Sequence, residues 1–132
     1  MADSRPPPRI LATPEAESWI GRLAETHGPL MFHQSGGCCD GSAPMCFARG
    51  EFRVGGQDVL LGFVAGDTPV WIGARQFEYW QHTQVIIDVV PGRGSGMSIE
   101  APEGVRFVTR SRVFTDAEAA LLDAASAPLR GA

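Results

Sequence analysis

Apolar residues at Ala16, Trp19, Ile20, Leu23 and Ala24 follow an i, i+3, i+4, i+7, i+8 stripe, which predicts an amphipathic helix. Thr13 stands as its N-cap, Pro14 as its first helical position, and Gly28-Pro29 ends it. Beyond the helix the apolar runs become short and β-like. Leu30 to Gln34 reads as a strand that runs into a glycine-rich loop, Ser35 to Pro44. Phe47 to Val54, Val59 to Val64 and Val70 to Ile72 follow as strands, punctuated by Gly55-Gly56 and Gly66-Asp67. Arg75 to Gln81 suits one or two helical turns with Phe77 and Trp80 on the apolar side, and Val85 to Val90 is a β-branched strand.

Met97 to Ala101 and Val105 to Phe114 flank Pro102-Glu103-Gly104, the signal of a hairpin. Thr115-Asp-Ala-Glu118 is a capping box that opens a final helix to about Ser126. Helices at the ends of a mostly antiparallel β core predict an α+β fold. The expected organisation is a disordered Pro-rich tail over 1–12, one α+β domain over 13–126 and a flexible tail over 127–132. The triple proline Pro6-Pro7-Pro8 is what assigns the first segment to a tail.

Composition narrows the chemistry. At 132 residues with 44% hydrophobic and 20% charged, the chain is an ordinary soluble globular length and balance. A net charge of −4 argues against a nucleic-acid partner recruited by bulk charge. No apolar run approaches the roughly 20 residues of a membrane span, so no membrane is expected. The absence of lysine removes Schiff-base chemistry and the Walker-type phosphate lysine. The N-terminus lacks the apolar core of a secretory signal, and the three cysteines cluster between 38 and 46 instead of forming a disulfide framework. Both features point to a reducing cytoplasm.

The stretch from His33 to Cys46 concentrates the candidate chemistry. It carries His33, Cys38, Cys39, Asp40 and Cys46, with Gly36, Gly37 and Gly41 allowing close backbone approach to a ligand. Two or three thiolates with an imidazole or carboxylate suit a soft or borderline metal: iron or an iron–sulfur species, zinc or copper. The C-C-x6-C spacing is not that of a zinc ribbon. A nucleophilic or redox-active thiol fits the same residues. The plain structural alternative makes Cys38 and Cys46 small buried hydrophobes.

Arg106, Arg110 and Arg112 alternate along one predicted strand face with Val108, and three guanidinium groups there are candidates to bind a carboxylate or phosphate cofactor. The structural alternative is a solvated face that discourages edge pairing. His82, after the aromatic turn, is a candidate ligand or general base. Asp88, inside an apolar strand, is expected to be held by an arginine or by backbone donors. Gly92-Arg-Gly-Ser-Gly96 lies between strands and so lacks the helix that a phosphate cradle opens.

The Gly36-Gly-Cys-Cys-Asp-Gly41 loop, with Gly92-Arg-Gly94, Arg106-Phe and Arg110-Ser-Arg112, resembles an uncharacterised bacterial family, domain-of-unknown-function family 779, over about residues 13 to 115. Members of that family are often encoded beside aldehyde dehydrogenases, which makes such an enzyme the expected partner. A more distant resemblance is to A-type iron–sulfur carriers of the HesB-like fold. It rests on Gly37-Cys38, Glu78-Tyr79-Trp80, Ile87-Asp88-Val89-Val90 and Gly94-Ser95-Gly96-Met97. Where those carriers have Cys-Gly-Cys, this chain has Val108-Thr-Arg110, so two of their three cluster ligands are absent. Cys39 and Cys46 are then the candidate substitutes.

The resemblance implies a HesB-like β core and a homo-oligomer with a site shared between subunits. It would also bring the arginine face toward the cysteine loop, where Arg110 favours a thiolate. The resulting expectation is a small cytoplasmic accessory protein, non-catalytic, whose metal is held by Cys38, Cys39 and Cys46 with His33 and Asp40 assisting. Two alternatives stay open. One is an enzyme using Cys38 or Cys39 as a thiolate, activated by Arg110 or His33, on aldehydes or thiol adducts. The other is a metal-free interaction module.

Overall fold

A computed structural model describes residues 6–34, 44–51, 54–92 and 98–125. Its first element is a correction to the expected tail: Ile10–Ala12 form β1, a short strand parallel to the later β6. Ile10 is buried, and the backbone on either side of the strand is tied down. The Val85 N–H donates to the Arg9 carbonyl and the Thr13 N–H to the Ile87 carbonyl, each at 2.9 Å. The prolines end before these donors are needed, so they do not prevent pairing.

Helix α1 spans Pro14–His27 and is capped as expected, the Thr13 hydroxyl accepting from the Ala16 N–H. Its buried residues are Ala16, Ile20 and Leu23, the predicted stripe. Strand β2, Leu30–Gln34, has the predicted bounds. The next strand does not. β3 is Met45–Ala48, where residues 47–54 were expected, because its pairing with β2 runs from His33↔Met45 to Leu30↔Ala48 and stops where β2 begins.

Strands β4 (Asp58–Val64) and β5 (Thr68–Gly73), helix α2 (Ala74–Trp80) and strand β6 (Thr83–Pro91) follow the expected order. The hairpin is also a correction. Ser98 to Glu100 form a turn and Ala101–Glu103 a single 3₁₀ turn, with Pro102 at its start and Gly104 in the left-handed region. β7 (Val105–Val113) therefore pairs with β6, from Pro91↔Val105 to Thr83↔Val113. Helix α3, Asp116–Ala124, carries the full capping box of Thr115 and Glu118.

The architecture is α+β, with two mixed sheets ordered β1-β6-β7 and β3-β2-β5-β4. Among the described residues, three of the five strand pairings are antiparallel. One core joins the sheets: Ile10, Val85, Ile87, Val89 and Phe107 from the first meet Leu30, Phe32, Cys46, Val70 and Ile72 from the second. The rings of Phe32 and Phe107 cross that seam edge to face, 5.0 Å apart at 87°. At Gly62 the backbone has φ +149°, and a Cβ would lie 2.9 Å from Ile10 Cγ2. Glycine there lets β4 close against β1 at a register shift.

Candidate functional site

Strands β2 and β5 run parallel, so their C-terminal ends lie together with the start of β4 and of α2. His33 and Asp58 meet at this end. His33 Nε2 lies 2.6 Å from Asp58 Oδ1, and Asp58 Oδ2 accepts from the Gly55 N–H at 2.9 Å. His33 is buried, and the Asp58 side chain is 14% exposed, so water competes weakly for this contact. Burial pushes the Asp58 carboxyl up, but the Gly55 N–H and His33 together outweigh it and hold it below its ordinary value. A carboxylate on one ring nitrogen orients the imidazole and selects the role of the other. A cleft of about 300 Å³ opens beside the pair, lined by Gln57, Asp58, Gly73, Ala74, Arg75 and Gln76.

The Asp58 shift has a testable consequence. Its folded pKa lies below the unfolded value of about 3.9, so its stabilisation is present above that pH and is lost as pH falls through the folded value. The Asp58→Asn variant is expected to be less stable than wild type by about 1–2 kcal/mol near neutral pH, the scale of a charge-assisted hydrogen bond. The gap should narrow below about pH 4. Urea titrations of both proteins between pH 7 and pH 2.5 check this, and a constant gap would refute it.

The chain leaves β2 at Gln34, immediately after His33, and re-enters β3 at Met45, opposite His33. Cys38, Cys39 and Asp40 lie between, outside the described residues. Cys46 is described, and it faces away from His33. Cys46 pairs with core-facing Phe32, and His33 alternates to the other face of β2. The Cys46 thiol is fully buried, and burial together with the charge of Glu100 pushes its pKa well above the ordinary thiol range. Among the described residues no three His, Cys, Asp or Glu side chains converge as a metal site.

Sequence reasoning missed Asp58 and Glu100. Asp58 stands at the start of a strand where nothing local marks it, although an acidic residue beside Gly55-Gly56 was visible. Glu100 is 1% exposed, its carboxylate accepting from the Ser98 hydroxyl and from the Phe107 N–H at 3.1 Å. Ser98 Oγ accepts in turn from the Cys46 N–H at 2.9 Å, and the Ile99 N–H donates to the Cys46 carbonyl at 3.0 Å. This network ties β3 and β7 together at Cys46.

The arginines occupy the face of β7 that pairs beside Gln84, Ile86, Asp88 and Val90, the face away from Phe107 and the shared core. Two of them are engaged with acids. Arg110 Nε lies 3.5 Å from Asp88 Oδ2, and Arg112 holds Glu118 through contacts of 2.8 and 3.0 Å. Arg112 and the Thr115 N–H hold the Glu118 carboxyl down to about 2. The Val89 N–H is the largest influence keeping Asp88 below the ordinary range, helped by Thr13 and Arg110 against partial burial. Asp88 thus has the arginine and backbone partners expected of it. Arg106 lies against Gly92, away from both ion pairs. His82 is exposed, and its carbonyl accepts from the Phe114 N–H at 3.0 Å.

Among the described residues, no helix is long and apolar enough to cross a membrane. No curated protein and no solved structure matches the chain. Residues 19–113 match the family described as Domain of unknown function (DUF779), a span from α1 to the last residue of β7 that holds His33, Asp58 and every cysteine. The chain therefore belongs to the DUF779 family.

Proposed function

We propose that the protein is a metal-binding accessory protein whose centre is built on Cys38, Cys39 and His33, with Asp40 assisting and Asp58 orienting the imidazole. The observation that carries this reading is the 2.6 Å contact of His33 with Asp58 at the root of the cysteine loop. An imidazole braced by a carboxylate is the usual outer support of a metal-binding histidine. Thiolates with one imidazole form a donor set suited to zinc, copper or iron. Cys46 is left out of the centre, because its thiol is buried on the other face of β2 and resists the ionisation a ligand needs. An iron–sulfur occupant draws on the HesB-like resemblance, and an aldehyde dehydrogenase partner on the family resemblance; a homo-oligomer would supply further ligands.

The same pair favours a second reading. A histidine oriented by an aspartate is also the base that activates a cysteine nucleophile, here Cys38 or Cys39 acting on an aldehyde or a thiol adduct. Metal analysis of protein purified without oxygen or an affinity tag separates the two. Near-stoichiometric metal is expected in wild type and in Cys46→Ala, and its loss in Cys38→Ser and His33→Ala. Absence of metal after anaerobic reconstitution with iron, zinc or copper would overturn the first reading. Rapid alkylation of Cys38 or Cys39 at neutral pH in that metal-free protein would support the second.

A further inference from the structure

Helix α3 has no buried residue; Glu118, Ala119, Leu121 and Leu122 are half-covered and the rest of its residues are exposed. Two clefts open to solvent flank this helix. One of about 360 Å³ separates it from Arg9, His82 and Phe114, and one of about 240 Å³ separates Leu122 from the Pro6–Pro8 segment. Leu122 lines both.

What holds α3 is concentrated at its first turn and is polar. Arg112 of β7 grips the Glu118 carboxylate through two contacts, and the same Glu118 accepts from the Thr115 N–H to complete the capping box. At the other end partial burial lowers the Arg9 pKa, which Asp123 opposes, and the Arg9 guanidinium lies over the Phe77 ring and donates to the Gln81 carbonyl. The Arg112–Glu118 pair sits at the surface, where ion pairs are worth little and salt screens them. The family match covers residues 19–113 and α3 begins after it.

We infer that α3 is a strap latched by Arg112 and Glu118, which opens as a unit separate from the two sheets and exposes the surface of Arg9, His82 and Phe114 that faces it across an open cleft. The cap and the latch share one residue, so closing the strap and forming the helix are coupled. A helix that turns away whole keeps the local cap of Thr115 and Glu118 and loses only the Arg112 contacts from β7. The inference rests on the packing of α3 alone and stands apart from the proposed metal centre.

Hydrogen exchange on the full-length chain tests it. In wild type, the α3 amides are expected to exchange through a smaller opening than those of β6 and β7, which exchange together. Glu118→Gln keeps a side chain able to cap while removing the charge that Arg112 holds. It should speed α3 exchange roughly two- to five-fold and leave β6 and β7 unchanged, and raised salt should do the same to wild type. Exchange of α3 in step with β6 in wild type would overturn the inference. So would an equal acceleration of both regions in Glu118→Gln. Arg112→Gln completes the cycle: the double variant should exchange less than additively relative to the two single variants, and fully additive acceleration would show that the pair is not the latch.

Discussion

Phe32→Ala is expected to lower the unfolding free energy by about 3–5 kcal/mol, a large part of the 5–15 kcal/mol typical of a domain. Phe32 is fully buried at the centre of β2, and its ring meets Phe107 edge to face across the two sheets. Alanine removes the transfer free energy of the ring and leaves a cavity that the strands cannot close. Hydrogen bonds on both sides hold β2 in place, since it pairs with β3 and with β5. Urea denaturation should show a lower midpoint with an unchanged slope. Phe63 provides the control. It is 56% exposed, so Phe63→Ala should change stability by no more than about 0.5 kcal/mol. A Phe32→Ala loss below about 1 kcal/mol would mean that the two sheets do not share this core.

Glu100→Ala should cost about 2–4 kcal/mol, mostly through stranded donors. The Phe107 N–H and the Ser98 hydroxyl both give their hydrogens to this carboxylate, and neither has water to turn to. Glu100→Gln separates acceptor loss from shape. The amide oxygen can still accept from Phe107, and the amide nitrogen can donate to Ser98 Oγ. Ser98 Oγ then receives two donors, because the Cys46 N–H already binds it, and its own hydrogen must point elsewhere. The expected cost for glutamine is about 1 kcal/mol, one hydrogen bond. Thermal and urea melts of both variants check the order. An alanine loss with no loss for glutamine would show that Glu100 acts by filling space, because glutamine has the same shape.

A further consequence concerns the cysteine loop. Ser98 and Ile99 bind both backbone groups of Cys46, the residue just inside the loop's return to β3. Weakening Glu100 therefore loosens the hydrogen bonds that hold Cys46 in β3, the strand paired with β2 where His33 lies.

Much of the local structure was legible along the chain, because the forces that decide it are local. A 3.6-residue stripe specified the buried side of α1, and hydroxyls at Thr13 and Thr115 capped the two helices they precede. β2 and the order of strands after it came from the same short-range patterning. The concentration of cysteines and His33 in one stretch was equally visible, since chemistry-bearing residue types need no fold to be counted.

Pairing across long separations was not legible. β1 is a strand because β6, more than seventy residues later, presents Val85 and Ile87 to it. The stretch after Met97 is no strand, because β7 takes β6 as its partner. Most of all, alternation along β2 sends His33 and Phe32 to opposite faces, and pairing then carries Cys46 with Phe32 into the core. Residues adjacent in one motif are thereby divided, while His33 is joined to Asp58, twenty-five positions away. A chain's own order sets which side chains alternate; which neighbour each one meets depends on sheet register, and register is settled by burying both apolar faces at once.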